Sequence, residues 1–551
     1  MLKPGLMMKQ NMLLSSILVH AERFYGAQEV VSRRVEGDLH RITFKAMAAR
    51  TRQLANALHA LGVEQGDNIA TIAWNNHRHI EIYYAVAGIG AVTHTLNPRY
   101  TPQQLIYIIN HAQDTTIFFD WTFAPLIKAI APHCPSVKNW VLMIDEDKMP
   151  ADSPVAGLLN YEALLTVQSD NYVWPDFDEN SACTLCYTSG TTGNPKGILY
   201  SHRSTMLHAM MSNCADAIAL TRKDIVLPVV PMFHVNAWGL PYAALMTGCK
   251  LVMPGPQLDG PSIYNLLESE KVTVAAGVPT IWLGLINHMK TNGLTFSTLK
   301  RSLVGGSAVP VSLIKEFDEM GVELMQGWGS TEMSPLGTVS KLSGDERNLP
   351  KQEQYEIVAK QGRTIFGVDM KLLAEDGTEL PWDFEQSGEL HVRGHWVLSE
   401  YYGGDGAKAF SHDETGKRWF ATGDVARMAP DGLMQITDRT KDVIKSGGEW
   451  ISSIDLENIA MSHPAVLQSA VIAIPHEKWN ERPLLIVVKR PGAEVSKQEL
   501  LQFYEGRITK MHIPDDVEFV DAMPIGATGK VQKSELRQQF KGVQFGGCSQ
   551  A

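Results

Sequence analysis

The chain has 551 residues, more than a single hydrophobic core usually holds, so its length predicts two or more domains. Its net charge of −11 excludes nucleic acid as a general partner, because a phosphate backbone requires a basic surface. No apolar run of ~18 residues occurs, so the sequence predicts no transmembrane segment and we expect a cytoplasmic protein.

The first third of the chain alternates predicted helices and strands. Residues 1–24 are typical of the start of an amphipathic helix, not of a cleaved signal, because charged side chains closely follow their short apolar patch. Apolar spacing then predicts a helix over 45–61, a strand over 68–74, a helix over 80–89 and a strand over 92–96. This alternation predicts an α/β fold built on a mainly parallel, helix-covered sheet.

A loop rich in glycine and hydroxyl side chains follows an apolar strand predicted over 182–186. Its sequence is Tyr187-Thr-Ser-Gly-Thr-Thr-Gly-Asn-Pro-Lys-Gly197. Glycines let successive backbone N–H groups turn toward an anion, and such a row of N–H groups binds phosphate. Pro195 stands where a Walker A loop requires glycine, so this is a different kind of phosphate loop. The residues assigned to phosphate binding are Thr188, Ser189, Gly190, Thr191, Thr192, Gly193 and Lys196.

Cys183 and Cys186, in the strand before this loop, form a C-x-x-C pair that invites a redox or zinc interpretation. The chain has six cysteines and no second such pair to complete a zinc site. Because the surrounding run is apolar, we predict that both cysteines pack inside a buried strand.

Short buried strands are again predicted after the loop, over residues 225–230, 250–253, 272–276 and 302–304. After Gly367 the pattern changes to strands separated by glycine-containing turns. This change predicts a smaller, β-rich subdomain at the end of the large domain.

A charged run over residues 438–442 lies between two apolar segments and is predicted to be a hinge. It divides the chain into a large N-terminal domain, residues 1–437, and a small mobile α+β domain, residues 443–551. The strands and the helix predicted for the small domain are 469–474, 483–488 and 497–504.

Two further motifs end in carboxylates. Trp328-Gly-Ser-Thr-Glu332 offers an oxygen ligand for Mg²⁺, which prefers carboxylate and phosphate oxygens. Phe420-Ala-Thr-Gly-Asp424 places a carboxylate just past a glycine turn, where Asp424 can accept hydrogen bonds from the hydroxyls of a ribose. Asp438-Arg439 supplies a second candidate for the ribose or the α-phosphate.

These motifs, in this order along nearly the whole chain, resemble those of the adenylate-forming superfamily of acyl-CoA synthetases, luciferases and peptide-synthetase adenylation domains. The resemblance implies ATP and CoA as co-substrates, an acyl-adenylate intermediate, and Mg²⁺ held by Thr188 and Glu332. The further residues that it implies for binding ATP or CoA are Val235, Gly306, Gln326, Gly327, Trp328, Thr331, Asp424, Arg439, Lys441, Lys445 and Trp450.

The C-terminal part of the resemblance concerns a change of domain orientation. Lys441 corresponds to the pivot of a domain rotation, and Lys445-Ser-Gly-Gly-Glu-Trp450 resembles the loop that enters the active centre for thioester formation. Pro524-Ile-Gly-Ala-Thr-Gly-Lys530 resembles the segment that carries the catalytic lysine. ATP and a carboxylate repel each other, so Lys530 is expected to place a cation between them.

Val230-Pro-Met-Phe-His-Val-Asn-Ala-Trp-Gly239 resembles the gating segment of bacterial medium- and long-chain fatty acyl-CoA synthetases. The resemblance implies that Trp238 gates an acyl tunnel and that His234, with Thr188, lies at the reacting carboxyl group. The neighbouring windows 278–282 and 305–310 contain no lysine or arginine, which disfavours a dicarboxylate or an amino acid. The residues assigned to the acyl substrate are Trp238, Gly305, Gly306 and Ser307.

Alternatives to a fatty acyl-CoA synthetase stay open. A related group with the same segment activates short thioether acids such as 3-methylmercaptopropionate, and the sequence does not separate the two. A luciferase-like oxygenase and a nucleotide sensor without catalysis are also open. A peptide-synthetase domain is disfavoured, because no carrier domain follows Lys530. The resemblance further implies a homodimer, with residues 1–24 as a candidate arm, and peripheral membrane contact stays open.

Overall fold

The computed structural model describes residues 2–188, 194–404, 406–447, 449–526 and 531–543. The chain divides into two compact units, Met1–Val368 with Arg393–Lys408, and Asp369–Val392 with Ala409–Ala551. Residues on both sides of the predicted hinge, 438–442, belong to the second unit. The domain boundaries drawn from the sequence and the hinge itself therefore stay predictions.

Two large sheets form the first unit, and the first of them contains the strand that leads into the phosphate loop. All neighbouring strands of this sheet run parallel except the last pair. In spatial order its described strands are Leu159–Asn160, Asn139–Leu142, Thr116–Phe119, Asn68–Ile72, Val92–Thr95, Ala182–Thr188 and Lys196–Ser201.

The second sheet of this unit is parallel in its centre and antiparallel at both edges. In spatial order its described strands are Arg363–Thr364, Leu336–Val339, Glu323–Gly329, Arg301–Val304, Val274–Gly277, Ile225–Pro228, Lys250–Met253, Glu29–Arg33 and Leu39–Thr43. The parallel, helix-covered architecture expected from the sequence is confirmed.

The helices begin and end where local sequence favours it. Thr43 accepts a hydrogen bond from the amide of Ala46 and caps the second helix, which ends just before Gly62 at φ +78°. The helices of the first unit are Ser15–Tyr25, Phe44–Ala60, His77–Gly88, Pro102–Ala112, Ala124–Ile130, Tyr161–Thr166, His202–Ser212, Leu240–Thr247, Gly260–Ser269, Pro279–Asn292, Val311–Glu319 and Lys351–Val358, with an irregular turn at Val235–Trp238.

Each large sheet has its own hydrophobic core. One core packs Leu54, Val86 and Phe118 between the first sheet and its helices. The other packs Trp282 and Phe317 against the second sheet. Cys183 and Cys186 are buried free thiols within strand Ala182–Thr188, which confirms their prediction as core residues.

The second unit contains two smaller sheets, whose neighbouring strands are mainly antiparallel. The strands of the first are Val368–Leu373, Gly388–Gly394, Arg418–Met428, Phe410–His412 and Met434–Arg439. The strands of the second are Glu449–Ile451, Ile444–Ser446, Asn480–Lys489, Val466–His476 and Asp516–Phe519, and its helices are Ser453–Met461, Lys497–Phe503 and Lys533–Gln539.

The C-terminal sheet has a hydrophobic core on each face. Val471 and Leu485 belong to one core, whereas their chain neighbours Ile472 and Leu484 belong to the other. Successive side chains of a strand point to opposite faces, so both cores draw on the same strands. This arrangement explains the uninterrupted apolar runs from which the sequence predicted these strands.

One local expectation differs from the structure. Gly423 and Asp424 do not form a turn but lie inside the long strand Arg418–Met428. Gly423 has φ +73°, and the register shifts just beyond, between Val425 and Ala426. Glycine therefore marks an irregularity in a strand here, because a positive φ inside a strand disrupts regular pairing.

Candidate functional site

The phosphate loop connects two antiparallel strands of the first unit. Thr188 ends one strand and pairs directly with Lys196, which begins the next. The predicted loop residues Ser189, Gly190, Thr191, Thr192 and Gly193 lie outside the described residues. The two ends of the loop, Thr188 and Lys196, therefore lie side by side, and both residues are partly exposed.

An aromatic and histidine cluster, missed by the sequence analysis, supports the start of this loop. The Tyr187 hydroxyl lies 2.6 Å from Nδ1 of His111, and the Tyr100 hydroxyl donates to the Tyr187 carbonyl at 3.2 Å. A Cβ on Gly197 would lie 2.9 Å from Cβ of Tyr402, so only glycine fits there. Tyr187 had been identified only as a loop boundary.

Glu332 and Lys196 both contact one tyrosine. The Tyr401 hydroxyl donates a hydrogen bond of 3.0 Å to Oε1 of Glu332, and Nζ of Lys196 lies 4.9 Å from the centroid of the Tyr401 ring. Burial and the neighbouring Glu332 carboxylate raise the pKa of Tyr401, so its hydroxyl stays a donor. The sequence predicted the acid and the lysine but not the tyrosine that joins them.

Glu332 fits a metal ligand. Its side chain is partly exposed. Among the described residues it accepts a hydrogen bond from the Tyr401 hydroxyl and forms no salt bridge. Mg²⁺ keeps several waters and takes one or two carboxylates, so lone pairs are available for it or for its waters. Thr188 is also partly exposed, at the start of the loop.

Four residues that the resemblance assigns to ATP binding lie at the end of strand Glu323–Gly329 and in the 3₁₀ turn Thr331–Met333: Gln326, Gly327, Trp328 and Thr331. The Tyr200 hydroxyl donates to the Thr331 carbonyl at 2.6 Å, which fastens this turn to the strand after the phosphate loop. Gln326 is 2% exposed, yet its Oε1 has no hydrogen-bond partner among the described residues. A buried acceptor without a partner is costly, so the side chain fits a ligand that donates a hydrogen bond, as an adenine amino group does.

The predicted acyl residues also come together. A Cβ on Gly305 would lie 3.2 Å from Cη2 of Trp238 and 2.8 Å from the Gly327 carbonyl, so the indole lies against the Gly305 backbone. Gly306 and Ser307 are exposed, and His234 and Trp238 are partly exposed. Strand Arg301–Val304 ends at this point, beside strand Glu323–Gly329.

The backbone between His234 and Leu240 is strained. Val235, Asn236, Ala237 and Trp238 have φ values of 37°, 55°, 48° and 57°. A left-handed helical conformation costs most L-residues about 1–2 kcal/mol; glycine adopts it freely and asparagine more readily than valine, alanine or tryptophan. Such strain persists where the surrounding structure imposes it, and it is often found at functional sites. The sequence analysis did not predict this left-handed turn.

The predicted residues of the second unit form two groups. Asp424 and Arg439, proposed separately for the ribose, are neighbours, with Nε of Arg439 2.9 Å from Oδ1 of Asp424. Asp438 turns inward, where its carboxylate accepts from the amide of Ser453 at 2.6 Å, and burial raises its pKa to about 6. Lys441 is exposed.

The second group lines a cleft of about 270 Å³. Nζ of Lys445 lies 5.2 Å from the Trp450 ring centroid and forms an ion pair with Glu375. Trp479 and Lys478, which the sequence analysis missed, line the same cleft and contact each other, with Nζ 4.7 Å from the ring centroid. Gly448 and the predicted catalytic Lys530 lie outside the described residues, so the role of Lys530 stays a prediction.

Comparisons with known proteins identify the family. Residues 19–402 match the AMP-binding enzyme family, and residues 455–530 match the AMP-binding enzyme C-terminal domain. The chain belongs to this family, which confirms the resemblance and the predicted fold class. Across the described residues, no helix combines the length and the apolar character needed to cross a membrane.

Similar proteins with assigned activities are acyl-CoA ligases. The chain is 50% identical to 3-methylmercaptopropionyl-CoA ligase of Ruegeria lacuscaerulensis, over 98% of this chain and 99% of that protein. It is 47% identical to medium-chain-fatty-acid–CoA ligase of Ectopseudomonas oleovorans, over 97% of both. Its fold resembles a crystal structure of anthranilate CoA ligase in complex with anthranoyl-AMP, with a TM-score of 0.84 at 22% identity, covering 97% of this chain and 98% of that one.

Proposed function

We propose that the protein is an ATP-dependent acyl-CoA synthetase. The observation that carries the proposal is the arrangement at the phosphate loop, where Lys196 and Glu332 both contact Tyr401 and Oε1 of Gln326, which has no hydrogen-bond partner among the described residues, is available for a nucleotide. This arrangement presents a cation for phosphate, a carboxylate for a metal and an acceptor for adenine on one unit of the chain.

The reaction has two steps. A carboxylate oxygen of the acid attacks the α-phosphorus of ATP, and pyrophosphate leaves with the electrons of the broken P–O bond. The thiolate of CoA then attacks the carbonyl carbon of the acyl-adenylate, and AMP leaves. The mixed anhydride is itself the activated species, so no protein nucleophile is required.

Mg²⁺ is the metal that Glu332 and Thr188 would hold, and when bound it neutralises charge on the phosphate oxygens. Lys196 attracts the phosphates from the other end of the loop. Asp424 and Arg439 are proposed to bind the ribose and the α-phosphate. His234 and Thr188 are proposed to lie at the reacting carboxylate.

Lys530 is proposed to hold the carboxylate beside the α-phosphate during the first step only. Rotation of the small domain about Lys441 would then remove it. The test is Lys530→Ala, which is expected to slow acyl-adenylate formation by at least ~10²-fold, because a preorganised charge at the reacting atoms is lost. Thioester formation from supplied acyl-AMP should stay within about twofold. Equal losses in both half-reactions, measured separately, would contradict the assigned role.

The cleft of Lys445, Trp450, Lys478 and Trp479 supports CoA as the second substrate. CoA carries an adenine ring and three phosphates, and the cleft offers two indole faces and two ammonium groups. Indoles bind flat aromatic rings and lysines bind phosphates. Trp479→Ala should raise the KM for CoA while the KM for ATP stays unchanged, and equal changes in both would contradict this assignment.

The acyl substrate is proposed to be a medium- or long-chain fatty acid, with a short thioether acid as the second candidate. The indole of Trp238 against the Gly305 backbone, together with the absence of lysine and arginine from residues 278–282 and 305–310, supports an apolar chain in either case. We also propose a cytoplasmic homodimer, testable by analytical ultracentrifugation.

The experiment that tests the function measures AMP release across a panel of acids, with ATP or CoA omitted as controls. The panel contains acetate, butyrate, octanoate, dodecanoate, hexadecanoate, 3-methylmercaptopropionate and benzoate. Highest kcat/KM with octanoate or a longer acid supports a fatty acyl-CoA synthetase. A maximum with butyrate or the thioether acid supports the second candidate. AMP release from none of them contradicts the proposal, and oxygen uptake with the adenylate would indicate an oxygenase.

A further inference from the structure

An acidic side chain lies in the cleft that contains two tryptophans and two lysines. Glu375 lines this cleft and forms an ion pair with Nζ of Lys445. The other charged side chain described at the cleft, that of Lys478, is basic. An acid is unexpected in a cleft that fits the phosphates of CoA, because like charges repel each other. Its presence therefore requires an explanation.

The two partners of this ion pair are positioned independently of each other. Glu375 lies on a turn that the amide of Ala374 closes by donating to the Thr378 carbonyl at 2.8 Å. Lys445 lies on strand Ile444–Ser446, which belongs to the C-terminal sheet. Neither the turn nor the strand uses the ion pair for its backbone hydrogen bonds, so the two side chains can separate without unfolding either element.

The ion pair is weak enough for a ligand to replace it. The side chains of Glu375 and Lys445 are 63% and 45% exposed, and exposed ion pairs contribute little stability because water and salt screen them. A phosphate oxygen forms the same kind of charge-assisted bond with an ammonium group as a carboxylate oxygen does. A phosphate monoester, of which CoA has one, also carries more negative charge than a carboxylate. A phosphate of CoA can therefore take the place of the Glu375 carboxylate.

We infer that Glu375 competes with a phosphate group of CoA for Lys445 and thereby lowers the affinity for this substrate. The inference rests on the proposed function, in which this cleft binds CoA. The Glu375 carboxylate holds the Lys445 ammonium group while CoA is absent and has to be displaced when CoA binds. Glu375 is a positioning residue, because it acts through Lys445 and not on the reacting atoms.

Two single variants and their combination test the competition, and a third variant is the control. Glu375→Gln keeps the size of the side chain and removes its charge. Lys445→Met removes the cation for which the two anions compete, and it is also combined with Glu375→Gln. Glu379→Gln removes the same charge from an exposed side chain that lies four residues further on and outside the cleft. The melting temperature of each variant reports whether it has folded.

The measurement is the KM for CoA, with kcat, in thioester formation from supplied acyl-AMP of the acid that the panel selects. For Glu375→Gln we expect the KM to fall about two- to fivefold, the range that an exposed ion pair allows, while kcat stays unchanged. Glu379→Gln should keep the wild-type KM. Lys445→Met should raise the KM, and adding Glu375→Gln to it should have no further effect, because the two side chains act as one pair.

Dephospho-CoA, which lacks the 3′-phosphate, distinguishes the two kinds of phosphate that CoA carries. If the KM for dephospho-CoA falls as much in Glu375→Gln as the KM for CoA does, the competing group is the pyrophosphate. If only the KM for CoA falls, the competing group is the 3′-phosphate. Both results support competition at Lys445.

The remaining outcomes separate this inference from the function on which it rests. An unchanged or higher KM for CoA in folded Glu375→Gln overturns the inference, and so does an equal fall in Glu379→Gln, which would indicate general repulsion only. A fall that persists in the Lys445→Met background also overturns it. In each of these cases the synthetase proposal stands as long as wild-type protein releases AMP. If wild-type protein releases AMP from no acid in the panel, the proposed function itself fails.

Discussion

Two groups of charged residues in the first unit differ in how their charges are neutralised. In the first, three arginines and five acids form a continuous network, buried at Glu36, Arg78 and Glu81, that joins the early strands and helices. Arg50 pairs with Glu81 at 2.7 Å and with Glu162 at 2.8 Å, and Arg78 pairs with Glu162 at 2.7 Å. The other members of the network are Arg34, Glu36, Asp38 and Asp145.

In the second group, at the phosphate loop, the charges are only partly satisfied. Lys196 contacts the face of the Tyr401 ring, and Glu332 accepts from the Tyr401 hydroxyl. Neither has a salt bridge among the described residues. We infer that charges paired with opposite charges stabilise the fold, whereas charges without an ion-pair partner are available to bind a ligand.

The same substitution, glutamate to glutamine, is expected to have opposite effects in the two groups. Glu81 is fully buried and paired with Arg50, so Glu81→Gln leaves the partly buried Arg50 guanidinium with Glu162 as its remaining acid partner. Removal of one partner from a buried ion pair costs about 3–5 kcal/mol. We expect a loss of that size in the free energy of unfolding, measured in urea. An unchanged unfolding midpoint would show that the network does not stabilise the fold.

Glu332→Gln is the matched substitution at the site. Here the free energy of unfolding should change by less than about 0.5 kcal/mol, because the side chain is partly exposed and has no cation partner. The rate of pyrophosphate release should instead fall by about 10²–10³-fold, as for loss of one preorganised electrostatic contact. If Glu332→Gln keeps the rate of pyrophosphate release but lowers the free energy of unfolding, Glu332 stabilises the fold and does not serve ligand binding.

Asp120 is an intermediate case, a buried carboxylate without a salt bridge among the described residues. It accepts from the amide of Trp74 at 2.7 Å, and burial raises its pKa to about 7. Between pH 5 and pH 7 the folded chain keeps a proton that the unfolded chain has already released, so rising pH removes stability.

The expected loss over that window is on the order of 2 kcal/mol, and Asp120→Asn should abolish it. The measurement is urea unfolding of both proteins at pH 5 and pH 7, and the informative quantity is the difference between them. The raised pKa of Asp120 is wrong if the wild-type protein and Asp120→Asn differ in free energy of unfolding by the same amount at both pH values. It is also wrong if the wild-type protein gains stability relative to the variant as pH rises.

The smallest effect is expected at Tyr401. Tyr401→Phe removes the hydrogen bond to Glu332 and keeps the ring beneath Lys196. Loss of one hydrogen bond of this kind corresponds to about 0.5–1.5 kcal/mol, or about three- to tenfold in kcat/KM for ATP. Tyr402→Phe is the control, since the Tyr402 hydroxyl has no hydrogen bond within the described part of the chain. Equal effects of both substitutions would indicate a general packing defect.

Much of the fold could be predicted from local pattern. The buried strands 92–96 and 250–253 and the helix 45–61 match the structure to within about two residues, because their apolar spacing, caps and glycine stops are all local signals. The site motifs could be predicted in the same way, because glycine, hydroxyl and charged residues follow one another within a few positions around Thr188 and Glu332.

Contacts between distant residues were not predictable in this way. Tyr401 is 69 residues from Glu332, and His111 is 76 residues from Tyr187. Their pairing depends on how strands and loops pack, which composition and spacing do not encode. Trp479 joins the cleft of Lys445 for the same reason, through the pairing of two strands.

Local sequence patterns were enough to identify the family, the alternation of helices and strands, and the residues able to bind phosphate, metal and nucleotide. Which of those charges are neutralised and which are available depends on the folded structure. It also decided the left-handed turn at Asn236, where buried partners on another strand override the local preference of four L-residues. Local preferences act over a few residues, whereas charge pairing and strain depend on groups that only folding brings together.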